Sequence, residues 1–333
     1  MNSKIVNNAL ALLFPFIVST TLLGQTEKQL RLHTPGEILK IMEESELSYV
    51  IGELTDEKSE SDSLIVHHNQ LFFRDTADKR ILDQYKLSER ALQLLQEGDR
   101  EFVEKNFGGA LKNYKQLLAV QPEYSFALTM IGDAHYSIDN YDSAKIYFQR
   151  AIERNFIDYS AHWFLADTYD KLGITDSALR EITIAHLLNP NHADLKQRMR
   201  EYRETSSRDW QEWEFKPLYQ LSSAGNRILI NTSPGWVAYA MVKAVWKYEP
   251  GYAYRITANE PDTLLVNWSE EKEAVLALLS DTTRNQRISE IIAGGYFEEF
   301  ILYELTAKKY SVVLLLLPSD NFWRVYDYVE KYH

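Results

Sequence analysis

The chain has 333 residues, is 45% hydrophobic and 25% charged, and carries a formal net charge of −12, the balance of a folded protein of roughly two or three domains. That charge, with no basic spot in the C-terminal half denser than Lys308-Lys309, argues against nucleic acid as a partner, because phosphates are neutralised by clustered Lys and Arg. The absence of cysteine excludes disulfides, thiolate metal sites, Cys nucleophiles and a lipid anchor on an N-terminal Cys.

The N-terminus reads as a secretory signal. Lys4 supplies the positive region, Ala9 to Leu23 a short apolar core broken by Pro15, and Gly24 a small residue before Gln25. Leu22 fits the −3 position of that cut site poorly. The apolar run is shorter than the roughly 20 residues of a spanning helix, so a cleaved signal (1–24) is favoured over an uncleaved anchor. The expectation is an exported chain, periplasmic or extracellular, with no integral membrane segment after signal removal.

Residues 25–85 form an N-terminal region. Thr34-Pro35 reads as a helix cap followed by Pro at the first helical position, leading into Gly36 to Glu44. Thr55 to Ser63 lacks apolar residues and reads as an exposed loop. Ser63 to Phe73 is strand-like, with a turn expected at His68-Asn69-Gln70, so a small hairpin is expected there.

Residues 86–205 read as helix pairs. Turns are expected at Asn106-Phe107-Gly108, Asp139-Asn140-Tyr141 and Gly173-Ile174-Thr175. Pro122 and Pro190 end units, with Phe156 at the middle join. Ala193 to Arg203 continues as a charged helix suited to capping the last unit. Residues 206–333 hold six of the seven Trp. A strand is expected at Arg227 to Asn231, and helices at Trp236 to Tyr248, at Ser269 to Leu279 capped by Ser269, at Gln286 to Ala307 with a break at Gly294-Gly295, and from Ser319 or Asp320 to Tyr332. Trp236, Tyr239, Val242 and Trp246 follow one helical stripe and read as core, and Trp210 and Trp213 are expected to pin this domain to the last repeat helix.

A period of 34 residues runs through the middle of the chain: Gly98, Gly132 and Ala166; Ala110, Ala144 and Ala178; Tyr114, Phe148 and Ile182. Units 91–124, 125–158 and 159–192 fit without gaps. Ala151 and Ala185 match the small position 27 and Leu117 departs from it. In this pattern the region resembles the tetratricopeptide repeat family over about a third of the chain. Small residues at positions 8, 20 and 27 let helices approach, and the large one at 24 fills the gap. The fold class expected is mainly α: a superhelix of antiparallel helix pairs followed by a mostly helical α+β C-terminal domain.

The resemblance implies a concave groove lined by the first helix of each unit. Position 9 is Asp99, Asp133 and Asp167, position 12 is Phe102, Tyr136 and Asp170, and position 5 includes Thr129 and Trp163. One reading is an acidic, aromatic-dotted groove for an extended peptide with basic residues. The competing reading is a solvated acidic face, with Tyr136 and Trp163 packed on neighbouring helices. Some members of the family clamp a C-terminal carboxylate with Lys and Asn; with carboxylates at position 9, this groove is not expected to read acidic C-termini.

No catalytic or metal-binding constellation stands out, and no cofactor is expected. His67-His68 point to opposite faces if on a strand, Glu298-Glu299 diverge on a helix, and no HExxH, phosphate-cradling loop or nucleophile elbow is present. The function expected is an exported protein–protein interaction scaffold or adaptor binding a protein or peptide partner, of basic character, through the groove. The alternative is an envelope enzyme or carbohydrate-binding accessory protein acting through 206–333. The scaffold reading needs a groove that the N-terminal region or C-terminal domain does not fill.

Overall fold

The computed structural model describes residues 18–19, 32–54, 71–75, 79–206, 213, 215–257, 267–279, 285–310 and 312–333. The signal and its cut site, the 55–63 loop, the turn expected at 68–70, His67-His68 and Trp210 lie outside the described residues.

In chain order, α1 (Pro35–Glu44) opens on a capping box: Glu37 N–H donates to the Thr34 hydroxyl, and the Glu37 carboxylate accepts from Thr34 N–H at 2.8 Å. The strand β1 (Ser48–Glu53) follows. An antiparallel hairpin joins β2 (Leu71–Asp75) to β3 (Lys79–Gln84), later in the chain than the sequence pattern placed it. Then come the helices α2 (Glu89–Val103), α3 (Phe107–Val120), α4 (Phe126–Tyr136), α5 (Tyr141–Arg154), α6 (Tyr159–Lys171), α7 (Thr175–Leu188) and α8 (Ala193–Thr205). Beyond them lie β4 (Tyr219–Ala224), β5 (Arg227–Thr232), α9 (Val237–Tyr248), α10 (Tyr252–Thr257), α11 (Trp268–Leu278), α12 (Gln286–Ala293), α13 (Phe297–Phe300) with a π-helical continuation over Ile301–Ala307, α14 (Val312–Leu315) and α15 (Ser319–Tyr332).

The described residues form two compact units: 32–54 with 213–310 and 323–333, and 71–206 with 312–322. This corrects the expected division at 85 and 205. In a three-stranded sheet β5 is central, antiparallel to β4 and parallel to β1, with Ser48 opposite Arg227. A single strand needs a ladder partner, and β1 finds its partner far along the chain. The β2–β3 hairpin belongs with the repeats.

In the repeat unit the 34-residue period becomes geometry. A Cβ on Gly98 would stand 2.4 Å from Tyr114 Cε1, and one on Gly132 2.5 Å from Phe148 Cε1. The third unit pairs Ala166 with the smaller Ile182, both fully buried. The turn inside each unit holds one left-handed residue, Lys105 (φ 60°), Asp139 (φ 59°) and Gly173 (φ 72°). The hairpin region packs on the joins between units: Asn155 Nδ2 donates to the Leu71 carbonyl at 2.8 Å, the Tyr85 hydroxyl lies 3.1 Å from Ser125 Oγ, and the Tyr85 ring meets Tyr124 edge-on. Phe156, at the join without Pro, meets Phe322 edge-on at 5.2 Å.

In the other unit Tyr239, Val242 and Trp246 of the expected stripe are buried, while Trp236, just before α9, is half-buried and edge-on to Phe215 at 5.0 Å. The cap of α11 is Asn267, whose side chain accepts from Glu270 N–H, while Ser269 is buried. Gly295 (φ 70s region, 78°) breaks the 286–307 run as expected. The Trp213 ring packs on Phe215, Phe300 and His333 of its own unit, with the Arg287 guanidinium 5.2 Å away.

Candidate functional site

The first helices of the three units, α2, α4 and α6, carry the expected groove residues. Asp99 is exposed and accepts a hydrogen bond from the Tyr114 hydroxyl at 2.9 Å. Partial burial raises its carboxyl above the usual range, and the tyrosine opposes that. Asp133, one unit on, is half-buried and its carboxylate has no hydrogen-bond partner among the described residues. Burial first, and then the charge of Asp167, push its carboxyl from 3.8 up to about 6.

Asp167 is different. It accepts from Arg198 Nε at 2.9 Å and from the Tyr202 hydroxyl at 2.6 Å. Arg198 also donates to Glu201 at 2.9 Å, and its guanidinium lies 5.0 Å over the Tyr202 ring. Both partners of Asp167 sit on α8, so the capping helix neutralises the third acid of the row. Asp167 is therefore corrected from a partner-facing carboxylate to an internal one.

The aromatic positions divide in the same way. Phe102 and Tyr136 are half-buried, each edge-on to a ring at the start of the following helix, Phe107 and Tyr141, at 5.3 Å. Trp163 packs on Phe164 and edge-on to His192, and its buried indole Nε1 has no hydrogen-bond partner. Thr129 is a second correction. It is fully buried and its hydroxyl donates to Asp158 Oδ2 at 2.7 Å, so it ties α4 to the next join rather than lining an open surface. Asp170 is exposed at the end of α6. The structure thus gathers Asp99, Phe102, Asp133 and Tyr136 on the first two units and withdraws Thr129 and Asp167. The negative charges of Asp99 and Asp133 both act on Tyr114, and those of Asp133, Asp167 and Asp170 act on Tyr136. The hydrogen bonds and ring contacts of the hairpin region fall on Tyr124, Ser125 and Asn155 at the joins.

Sequence reasoning missed the residues that hold these carboxylates: Tyr114, Arg198 and Tyr202. It also missed a set of internal carboxylates in the other unit. Glu273 is fully buried and accepts from Trp246 Nε1 at 2.5 Å, from the Tyr252 hydroxyl at 3.0 Å, and from the backbone N–H of His33, whose Nδ1 is 3.1 Å away. Glu271 accepts from Tyr239 at 2.5 Å and from Lys243 at 2.8 Å. With Tyr239, Trp246 and Tyr252 buried, these aromatics offer no face for stacking a sugar ring. An apolar cleft of about 230 Å³ in this unit is lined by Ile38, Leu39, Met241 and Leu278 among others. Among the described residues no cluster of three or more His, Cys, Asp or Glu could hold a metal ion, and no helix is long and apolar enough to cross a membrane.

No protein-family model matches the chain. Anaphase-promoting complex subunit 3 of Schizosaccharomyces pombe is 29% identical over 93 residues, 28% of this chain and 14% of that protein. Protein bimA of Emericella nidulans is 29% identical over 86 residues, 26% of this chain and 11% of that protein. The chain thus matches only a small part of the length of these curated relatives. Among solved structures it is similar to the first TPR of Spaghetti (RPAP3) bound to HSP90 peptide SRMEEVD, with TM-score 0.35 and 17% identity, covering 36% of this chain and 96% of that one. With the register of the sequence and the packing of α2 to α7, residues 91–192 are three tetratricopeptide repeats.

Proposed function

We propose that this chain is an exported interaction scaffold whose repeats dock a protein partner, and that the partner enters with a basic side chain against Asp133 and Asp99. The observation that carries this reading is Asp133. A half-buried carboxylate with no donor, raised to about 6 by burial and a like charge, is held at a cost that an incoming cation removes. Phe102 and Tyr136, each one helical turn further along the same helices, supply apolar area beside it. Export rests on the charge and apolar pattern of residues 1–24.

The test is affinity capture from an envelope extract with residues 25–333, alongside a variant carrying Asp133→Lys and Tyr136→Ala that circular dichroism shows to be folded. Capture of a protein by the wild type and its loss in the variant supports groove docking. Equal capture by both contradicts it. Cell fractionation with antibody detection tests export: recovery in the cytoplasmic fraction alone contradicts that part.

A further inference from the structure

The three acids of the row occupy one position of the repeat, yet they are served differently. Asp99 Oδ1 accepts from the Tyr114 hydroxyl at 2.9 Å, 15 residues further along its own unit. Asp167 Oδ1 accepts from Arg198 Nε at 2.9 Å and from the Tyr202 hydroxyl at 2.6 Å, 31 and 35 residues further along. Each of these donors has a counterpart around Asp133, and none serves it. The residue 15 beyond Asp133 is Phe148, which packs on Gly132 as Tyr114 packs on Gly98 but carries no hydroxyl. The residues 31 and 35 beyond it are Phe164 and Thr168 on α6. Phe164 has no donor in its side chain, and the Thr168 hydroxyl donates to the Phe164 carbonyl at 2.6 Å. Asp133 is thus the one acid of the three whose two carboxylate oxygens are both without a donor among the described residues.

The row also shows which cation suits such a carboxylate. At Asp167 it is a guanidinium, whose Nε serves Asp167 while Nη1 serves Glu201 at 2.9 Å. Two arguments favour the same group at Asp133. Two free oxygens match the planar fork of a guanidinium, which makes two parallel N–H···O bonds, whereas an ammonium acts as a point charge. A half-buried carboxylate is best met by a cation that sheds its water cheaply, and a guanidinium is more weakly hydrated than an ammonium. The neighbouring positions of the repeat supply neither, so the donor comes from a partner.

We infer that Asp133 is the specificity-determining residue of the groove and selects arginine over lysine in the partner, with the guanidinium on both carboxylate oxygens. This rests on the reading that a basic side chain of the partner enters against Asp133.

The test is retention of labelled peptide pools on immobilised residues 25–333. Each pool is randomised around one fixed central residue: Arg, Lys, citrulline or Gln. The Arg pool should be held about tenfold more tightly than the Lys pool, the scale of one further hydrogen bond to a charged group. Citrulline, which keeps the shape and loses the charge, should fall to the level of Gln. Asp133→Asn should bring the Arg and Lys pools down together to the Gln level. Phe148→Tyr is the second variant. It recreates the Asp99/Tyr114 pair at Asp133, taking one oxygen and leaving the charge, so the Arg pool should fall to the level of the Lys pool while the Lys pool stays. Equal retention of Arg and Lys, both lost in Asp133→Asn, overturns this inference and leaves the docking reading standing. An Arg preference that neither variant moves overturns the assignment to Asp133. If no pool is held above Gln, both readings fall.

Discussion

Arg198 donates to Asp167 across the last repeat and its capping helix at 2.9 Å, and Tyr202 closes on the same carboxylate oxygen at 2.6 Å. That relationship sets the polarity of the repeat surface. Three acids stand in register at 99, 133 and 167, yet the last is neutralised from within and the middle one is left without a donor.

Replacing Arg198 by Ala should cost about 1 kcal/mol of stability, the low end for a hydrogen bond to a charged group because the guanidinium is a third exposed. It should also strengthen binding of a Lys-containing peptide, since Asp167 becomes available. Urea unfolding and peptide titration check the two halves. A variant with unchanged stability and unchanged affinity would show that the pair is incidental.

Gly132→Ala places a methyl group where Phe148 already lies and should cost about 1–3 kcal/mol. Adding Phe148→Ile recreates the Ala166/Ile182 pairing of the third unit and should return part of that loss. A double mutant less stable than the sum of the two single changes, in thermal unfolding, would count against this complementarity.

The raised carboxyl of Asp133 has a signed consequence. Its folded value of about 6 lies above the ordinary 3.8, so between these values the native state holds the proton more tightly than the unfolded chain does. Its contribution is therefore most favourable below 3.8 and is lost as pH rises through about 6. Asp133→Asn should remove this slope from the difference between the two unfolding curves. A cationic ligand favours the ionised form, so affinity for a Lys peptide should rise between pH 5 and pH 7 in the wild type and not in Asp133→Asn. Parallel pH profiles for the two proteins would refute the assignment.

The left-handed turn residues predict opposite effects of one kind of exchange. Gly173 has open space around its Cα, so Gly173→Ala should lose about 1 kcal/mol from backbone conformation alone. Lys105→Gly should be neutral to stabilising by less than about 1 kcal/mol, because relief at φ 60° is offset by the greater freedom of Gly in the unfolded chain. Melting temperatures of both variants decide it.

The repeats were legible because their packing is local and periodic: small residues at 98 and 132 face rings at 114 and 148 within one helix pair. The groove was legible only as a row of positions. Thr129 sits where the pattern puts a partner-facing residue, but Asp158, buried at the next join, takes its hydroxyl. Arg198 and Tyr202 follow the last unit in a helix that reads as a charged lid, and nothing local marks them as partners of Asp167. The other unit was least legible. The pairing of β1 with β5 joins distant segments, and Glu271 and Glu273, charged residues near the start of a helix, are buried against Tyr239, Lys243, Trp246, Tyr252 and His33. Such contacts depend on tertiary packing that no window of sequence contains.

The central claim is that partners dock on the first helices beside Asp133. It is tested most directly by photo-crosslinking from single positions of residues 25–333 in an envelope extract. A benzoylphenylalanine replaces either the half-buried Tyr136 on α4 or Ile146, exposed on α5, the second helix of the same unit. The account predicts a discrete protein adduct from position 136 that is absent from position 146 and is lost when Asp133→Lys is added. An adduct from 146 alone, or one from 136 indifferent to Asp133→Lys, would contradict it.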